Sequence, residues 1–114
     1  MKKKYRIKRE YDFTLVFRRG KSFANRQFVV YFKDNPNTDH LRLGVSVSKK
    51  LGNAVKRNQI KRRIRVFFQT YQDDLLPREY IVIARHPVAT MDYKEMEKSL
   101  LHVLKLAKCM NNRR

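Results

Sequence analysis

The sequence is poor in cysteine, glycine and acidic residues, and it has no long apolar run. Its one cysteine, Cys109, can form no internal disulfide, which fits a reducing compartment. No second Cys and no His stands near it at ligand spacing, which argues against zinc. Three glycines leave no glycine-rich phosphate loop. The longest apolar runs, 28–32 and 80–84, are far too short to cross a bilayer. His40, His86 and His102 share no metal-ligand or triad spacing, so nothing supports catalysis by this chain alone. No carboxylate lies between Asp39 and Asp73. That gap disfavours a metal nuclease acting alone, because Mg²⁺ takes oxygen ligands. Asp73 and Asp74 could recruit a divalent ion but more simply end a helix.

What is abundant is positive charge. Lys and Arg number 28 against 10 Asp and Glu, for a formal net charge of +18 at pH 7. Self-repulsion of that size weakens a compact state unless a partner neutralises it. The hydrophobic fraction of 42% over 114 residues supplies a core for one domain, 1–114, and a basic domain of this kind points to nucleic acid. A membrane surface is the competing polyanion, but the usual anchors are missing. The opening Met-Lys-Lys-Lys looks like the positive end of a signal peptide. Arg6, Lys8, Arg9, Glu10 and Asp12 then stand where an apolar stretch is required. The expectation is no export signal, a cytoplasmic protein, and a basic, mobile N-terminal arm over 1–9.

Apolar spacing predicts the elements. Phe13, Val16 and Phe17 mark a helix over 10–19 that stops at Gly20. Residues 27–32 alternate as a strand, with Phe28, Val30 and Phe32 on one side and Val29 and Tyr31 on the other. A turn over 34–37 precedes a second strand, in which Leu41, Leu43, Val45 and Val47 alternate with Arg42, Gly44, Ser46 and Ser48. Asn53 is a candidate cap for a central helix. Residues 80–84 are apolar throughout, as in a strand interior to a sheet. Asp92 with Glu95 reads as a capping box opening a last helix that carries Met96, Leu100, Val103, Leu104 and Ala107. The order of helix, strands, helix, strand, helix is that of an α+β layer domain.

The densest charge falls on the central helix. Six of the ten residues from Lys56 to Arg65 are cationic. On a wheel of about 100° per residue, Ile60, Ile64, Phe67, Phe68 and Tyr71 form one stripe. Arg57, Asn58, Lys61, Arg62 and Arg65 form the adjoining face, and Lys56 and Arg63 lie on the far flank. Such a face can set cations against two phosphate rows and release their counterions. Arg grips phosphate bidentately, while Asn can bond a base edge or a ribose hydroxyl. A merely solvated face is the competing reading, but it usually carries Glu for balance, and none is present. Helix-turn-helix, zinc-finger and basic-zipper patterns are missing. The aromatics Phe13, Phe17, Phe28, Tyr31 and Phe32 suit stacking with single-stranded RNA, although core packing competes for each of them.

Laid out in this way, the chain resembles the bacterial ribonuclease P protein family over nearly its whole length. The resemblance rests on Asp12-Phe13-x-x-Val16-Phe17 with Gly20-Lys21-Ser22, and on Asn25-Arg26-Gln27-Phe28-Val29-Val30-Tyr31. It continues through Arg42-Leu43-Gly44-Val45-Ser46-Val47-Ser48-Lys49-Lys50 into Gly52-Asn53-Ala54-Val55-Lys56-Arg57-Asn58, and through Ile81-Val82-Ile83-Ala84-Arg85 with Pro87. The signature is Arg-Asn-x-x-Lys-Arg-x-x-Arg, here Arg57, Asn58, Lys61, Arg62 and Arg65, behind the Ser-Lys-Lys-x-Gly-Asn lead-in.

The resemblance implies a small α/β sandwich with a central mixed sheet and a left-handed β-α-β crossover through the basic helix. It implies an accessory subunit that partners a large catalytic RNA and helps it remove the 5′ leader from precursor tRNA. Mg²⁺ would be held mainly by RNA, with no catalytic residue and no metal site on this chain. No membrane and no further protein partner are called for. The signature residues would contact the RNA subunit. Phe13, Phe17, Val29 and Tyr31, with Lys49 and Lys50, would line a cleft for the leader. Many members carry Arg between Asn58 and Ile60, where this chain has Gln59, so one cation is lost there. A ribosomal-type or RNA-chaperone module remains the alternative.

Overall fold

The three apolar periodicities each become a helix: α1 over Glu10–Arg19, α2 over Ala54–Thr70 and α3 over Tyr93–Leu106. Four strands join them in a computed structural model that describes residues 1–111: β1 Lys21–Ala24, β2 Phe28–Asp34, β3 Arg42–Val47 and β4 Arg78–Ala84. The Asn53 side chain caps α2 by accepting from the Lys56 amide at 2.9 Å. Asp92 and Glu95 form the reciprocal capping box of α3, satisfying two backbone donors that the helix itself leaves unpaired.

The sheet runs in the order β1-β2-β4-β3. Both β1/β2 and β2/β4 are antiparallel, and β3/β4 is parallel. A parallel neighbour needs a crossover connection, and α2 supplies it. Strand β4 is therefore paired on both sides, which explains its nearly continuous apolar sequence. Alternation sends Phe28, Val30 and Phe32 of β2 and Tyr80, Val82 and Ala84 of β4 into the main core. Ile60, Ile64, Phe67 and Phe68 of α2 and Met96, Leu100, Val103 and Leu104 of α3 close over them. On the opposite face Val16, Ile81 and Ile7 form a smaller cluster with Phe13, Tyr31 and Ile83. The architecture is a mixed α+β sandwich with two helices on one face and α1 on the other.

Two features depart from the sequence reading. Strand β1 was not expected, because all four of its residues are exposed and exposure leaves no alternation to read. Asn25 closes the β1–β2 hairpin, accepting from the amides of Gln27 and Phe28 at 3.0 and 2.8 Å. The second feature is the arm over 1–9. Ile7 is buried and its amide donates to the Leu43 carbonyl at 3.0 Å, while Arg6 bridges to Leu43. Counting charge alone overlooks Ile7, the one apolar anchor among the cations of this segment.

Helix α1 crosses only part of its face of the sheet, and Gly44 fixes where. A Cβ at Gly44 would stand 2.5 Å from Cε1 of the Phe13 ring, so the ring lies on the strand backbone itself. Nearby, Arg42 bridges Asp12 of α1 at 3.3 Å and Glu79 of β4 at 2.7 Å, and Asn35 also donates to Glu79. Gly44→Ala should therefore lower unfolding stability by about 1–3 kcal/mol, the usual cost of overpacking. Chemical denaturation measures it, and an unchanged midpoint would show that Phe13 is free to move aside.

Candidate RNA interface

The exposure of the α2 side chains follows their angle from the docking stripe. Arg57, Lys61 and Arg65, nearest the stripe, are half-buried, and Asn58 and Arg62, further round, are exposed. All five expected signature residues thus share one continuous face. Gln59 stands at the crest of the helix, exposed like its neighbours Val55 and Val66. On the other flank Arg63 donates to the Met91 carbonyl at 3.1 Å, which ties it to the segment before α3.

The electrostatics of α2 are one-signed. Its first turn holds no acidic residue, so Lys56 and Arg57 add to the positive end of the helix dipole instead of offsetting it. Among the described residues the ion pairs are Arg42 with Asp12 and Glu79, and Arg78 with Asp34. None uses a cation of α2. Burial, and secondarily the charge of Arg6, push the Arg65 pKa down. Uncompensated cations at a helix N-terminus attract phosphate. The donor set does not suit a resident Mg²⁺, which needs oxygen ligands. Among the described residues no group of three or more His, Cys, Asp or Glu is placed to hold a metal ion.

The loop before α2 sets its direction. Ser48 caps a short turn over Lys49–Leu51, accepting from the Lys50 amide at 3.2 Å. Gly52 then takes φ 142°, a backbone conformation that side chains disfavour. Lys49 and Lys50 are exposed. They follow Val47, which pairs with Ala84 at the end of the sheet that also holds Val29 and Ile83.

That end of the sheet lies beyond the Phe13 contact of α1. Val29, Tyr31 and Ile83 are half-buried there. Phe17 of α1 is 41% exposed and meets Tyr31 edge-on at 4.8 Å. An open apolar floor, an aromatic wall and a lysine rim therefore share one side of the molecule. Phe13 sits deeper, against Gly44. Phe28 and Phe32 are buried in the main core and cannot stack with a base. Ile83 was missed as part of the floor, although the alternation of β4 already places it on the Val29 side. Phe23, also 41% exposed, was missed because the strand that carries it was missed.

The comparisons with known proteins bear on this geometry. Residues 1–108 match the family model of ribonuclease P. The chain belongs to the ribonuclease P protein component family. It is 58% identical over 113 residues to the ribonuclease P protein component of Staphylococcus carnosus, covering 99% of this chain and 98% of that one. The solved RNase P protein of Staphylococcus aureus matches with a TM-score of 0.89 at 53% identity, covering 94% and 98% of the two chains. That of Thermotoga maritima matches with a TM-score of 0.81 at 34% identity, covering 89% and 96%. These agree with the family resemblance of the sequence, and the ribosomal-type alternative gains no support. Among the described residues no helix is long and apolar enough to cross a membrane.

As a ribonuclease P protein component, the chain has no need of a nucleophile, and Cys109 is not placed to be one. It is fully buried, with Arg78 Nη1 at 3.4 Å from its Sγ. Burial pushes its pKa up, against a smaller opposing effect of Arg78. The group therefore stays a thiol at neutral pH and is shielded from reagents. A thiol reagent should modify Cys109 only after denaturation. Rapid modification of the native protein would contradict this burial.

Proposed function

We propose that this protein subunit assists the catalytic RNA of ribonuclease P in removing the 5′ leader from precursor tRNA. The observation that carries the reading is the one-signed face of α2, held rigidly beside an open aromatic cleft. Arg57, Asn58, Lys61, Arg62 and Arg65 contact the RNA subunit, with arginines on phosphates and Asn58 on a base edge or ribose hydroxyl. The leader passes across Val29 and Tyr31, with Phe13 and Phe17 forming the α1 wall and Lys49 and Lys50 meeting its phosphates. Unstacked bases find aromatic faces there, worth about 1–3 kcal/mol per stacked base. Mg²⁺ belongs to the RNA and substrate phosphates. The role of this chain is to position, which lowers the entropic cost of bringing scissile bond and catalytic RNA together. It acts in the cytoplasm, as one domain, with no other protein required.

Reconstitution tests the reading. Precursor tRNA is incubated with the protein alone, with ribonuclease P RNA alone, and with both, at near-physiological salt and Mg²⁺. The pair should cleave faster than the RNA alone, and the protein alone should not cleave. Equal rates for the pair and the RNA would overturn the reading.

Two variants separate its surfaces. Arg57→Ala with Arg62→Ala should weaken binding to the RNA subunit and flatten its salt slope by about one unit per lost phosphate contact. Phe17→Ala should weaken binding of tRNA with a long leader by about 1–3 kcal/mol, while leaderless tRNA binds as before. Equal losses for the two substrates would remove Phe17 from the leader path.

A further inference from the structure

One cation outside α2 is held in an unusual setting. The Nε atom of Arg6 is buried and has no hydrogen-bond partner, alone among the described side-chain nitrogen and oxygen atoms. An unsatisfied buried donor of this kind is costly. Its position is not accidental. The next residue, Ile7, is buried, and the Ile7 amide donates to Leu43. On the other side, the Tyr5 ring packs edge-on against His40 at 5.0 Å.

The group that Arg6 approaches is Arg65, the last cation of the α2 face. The two charges are felt by each other, since Arg6 contributes to lowering the Arg65 pKa. Neither belongs to an ion pair among the described residues. Two guanidinium groups held near each other without a carboxylate repel, and an anion between them removes the repulsion. A cavity of about 190 Å³, lined by Met1, Lys2, Tyr5, Gln69 and Gln72, opens along the same junction. Tyr5 adjoins Arg6, and Gln69 lies one helical turn beyond Arg65. An anion therefore has an open, polar approach to the junction.

We infer that Arg6 and Arg65 clamp a single backbone phosphate of the RNA, carrying the interface from α2 onto the N-terminal arm. The inference rests on the reading of α2 as the face toward the RNA subunit. Guanidinium forks match phosphate oxygens, and two of them fix its position as well as its charge. The buried Nε of Arg6 gains the acceptor it lacks in the free protein. The arm becomes a positioning element, held in place by Ile7 before any RNA arrives.

The test uses the full chain and ribonuclease P RNA, with affinity measured across a salt series. Arg6→Met keeps the aliphatic stem and removes the charge. It should weaken binding about tenfold and reduce the salt slope by about one. Arg6→Lys should retain the slope but bind severalfold more weakly, since an ammonium cannot grip a phosphate with a fork. Lys98→Met, at an exposed position on α3, removes the same formal charge and should have little effect. Combining Arg6→Met with Arg65→Met should cost less than the two single losses added together, because both arginines hold one phosphate. The thermal midpoint of free Arg6→Met should be no lower than that of the parent, since a repelling charge has gone. A lower midpoint with an unchanged salt slope would make Arg6 a structural residue and overturn the clamp. A steep parental slope that Arg6→Met leaves intact overturns the clamp but not the α2 reading. No salt-dependent binding by the parent overturns both.

Discussion

The seating of Ile60, Ile64, Phe67 and Phe68 on the sheet is the contact on which the rest of the surface depends. These four side chains hold in helical form a segment whose charges all repel. Each i,i+4 pair of like charges, such as Arg57 with Lys61 and Lys61 with Arg65, costs about 0.2–0.5 kcal/mol. Each fully buried large apolar side chain contributes about 1.5–3 kcal/mol. Packing therefore exceeds the repulsion severalfold, and the repulsion survives in the folded protein as attraction for a polyanion. A carboxylate placed to relieve it would stabilise the free chain and weaken the complex.

The scarce acids are used for structure. Asp12 and Glu79 hold Arg42 and so fasten α1 to the sheet. Asp34 holds Arg78, Asp92 and Glu95 cap α3, and Glu97 accepts from the Tyr71 hydroxyl at 3.0 Å. None of these groups neutralises the α2 face. The division places fixed, paired charge inside the sandwich edges and unpaired positive charge on one outer surface. The partly covered sheet face follows from the same economy, because Gly44 seats Phe13 at one end and leaves Phe17 and Tyr31 reachable at the other.

Much of this was legible in the chain. Helical spacing located α1, α2 and α3, and the wheel ordered the cations of α2 by exposure. The apolar run of β4 foretold its place inside the sheet, and alternation separated Val29 and Tyr31 from Phe28, Val30 and Phe32. What was not legible depended on contacts distant in sequence. Strand β1 has no buried face to announce it. Arg6 looks like any other lysine or arginine of the arm until Ile7 docks and brings it to Arg65. Phe28 and Phe32 looked available for stacking until α2 and α3 closed over them. The family motif identified the basic face, but burial and pairing show how that face is held.

Site-specific photo-crosslinking tests the central claim most directly. A photoreactive residue is placed at the Asn58 position on the α2 face, and another at the exposed Lys98 position on α3. Each protein is then irradiated with ribonuclease P RNA. The account predicts a strong protein–RNA adduct from position 58, competed away by unlabelled protein, and little from position 98. Equal adducts from both positions, or a stronger one from position 98, would contradict the claim that α2 carries this protein onto its RNA.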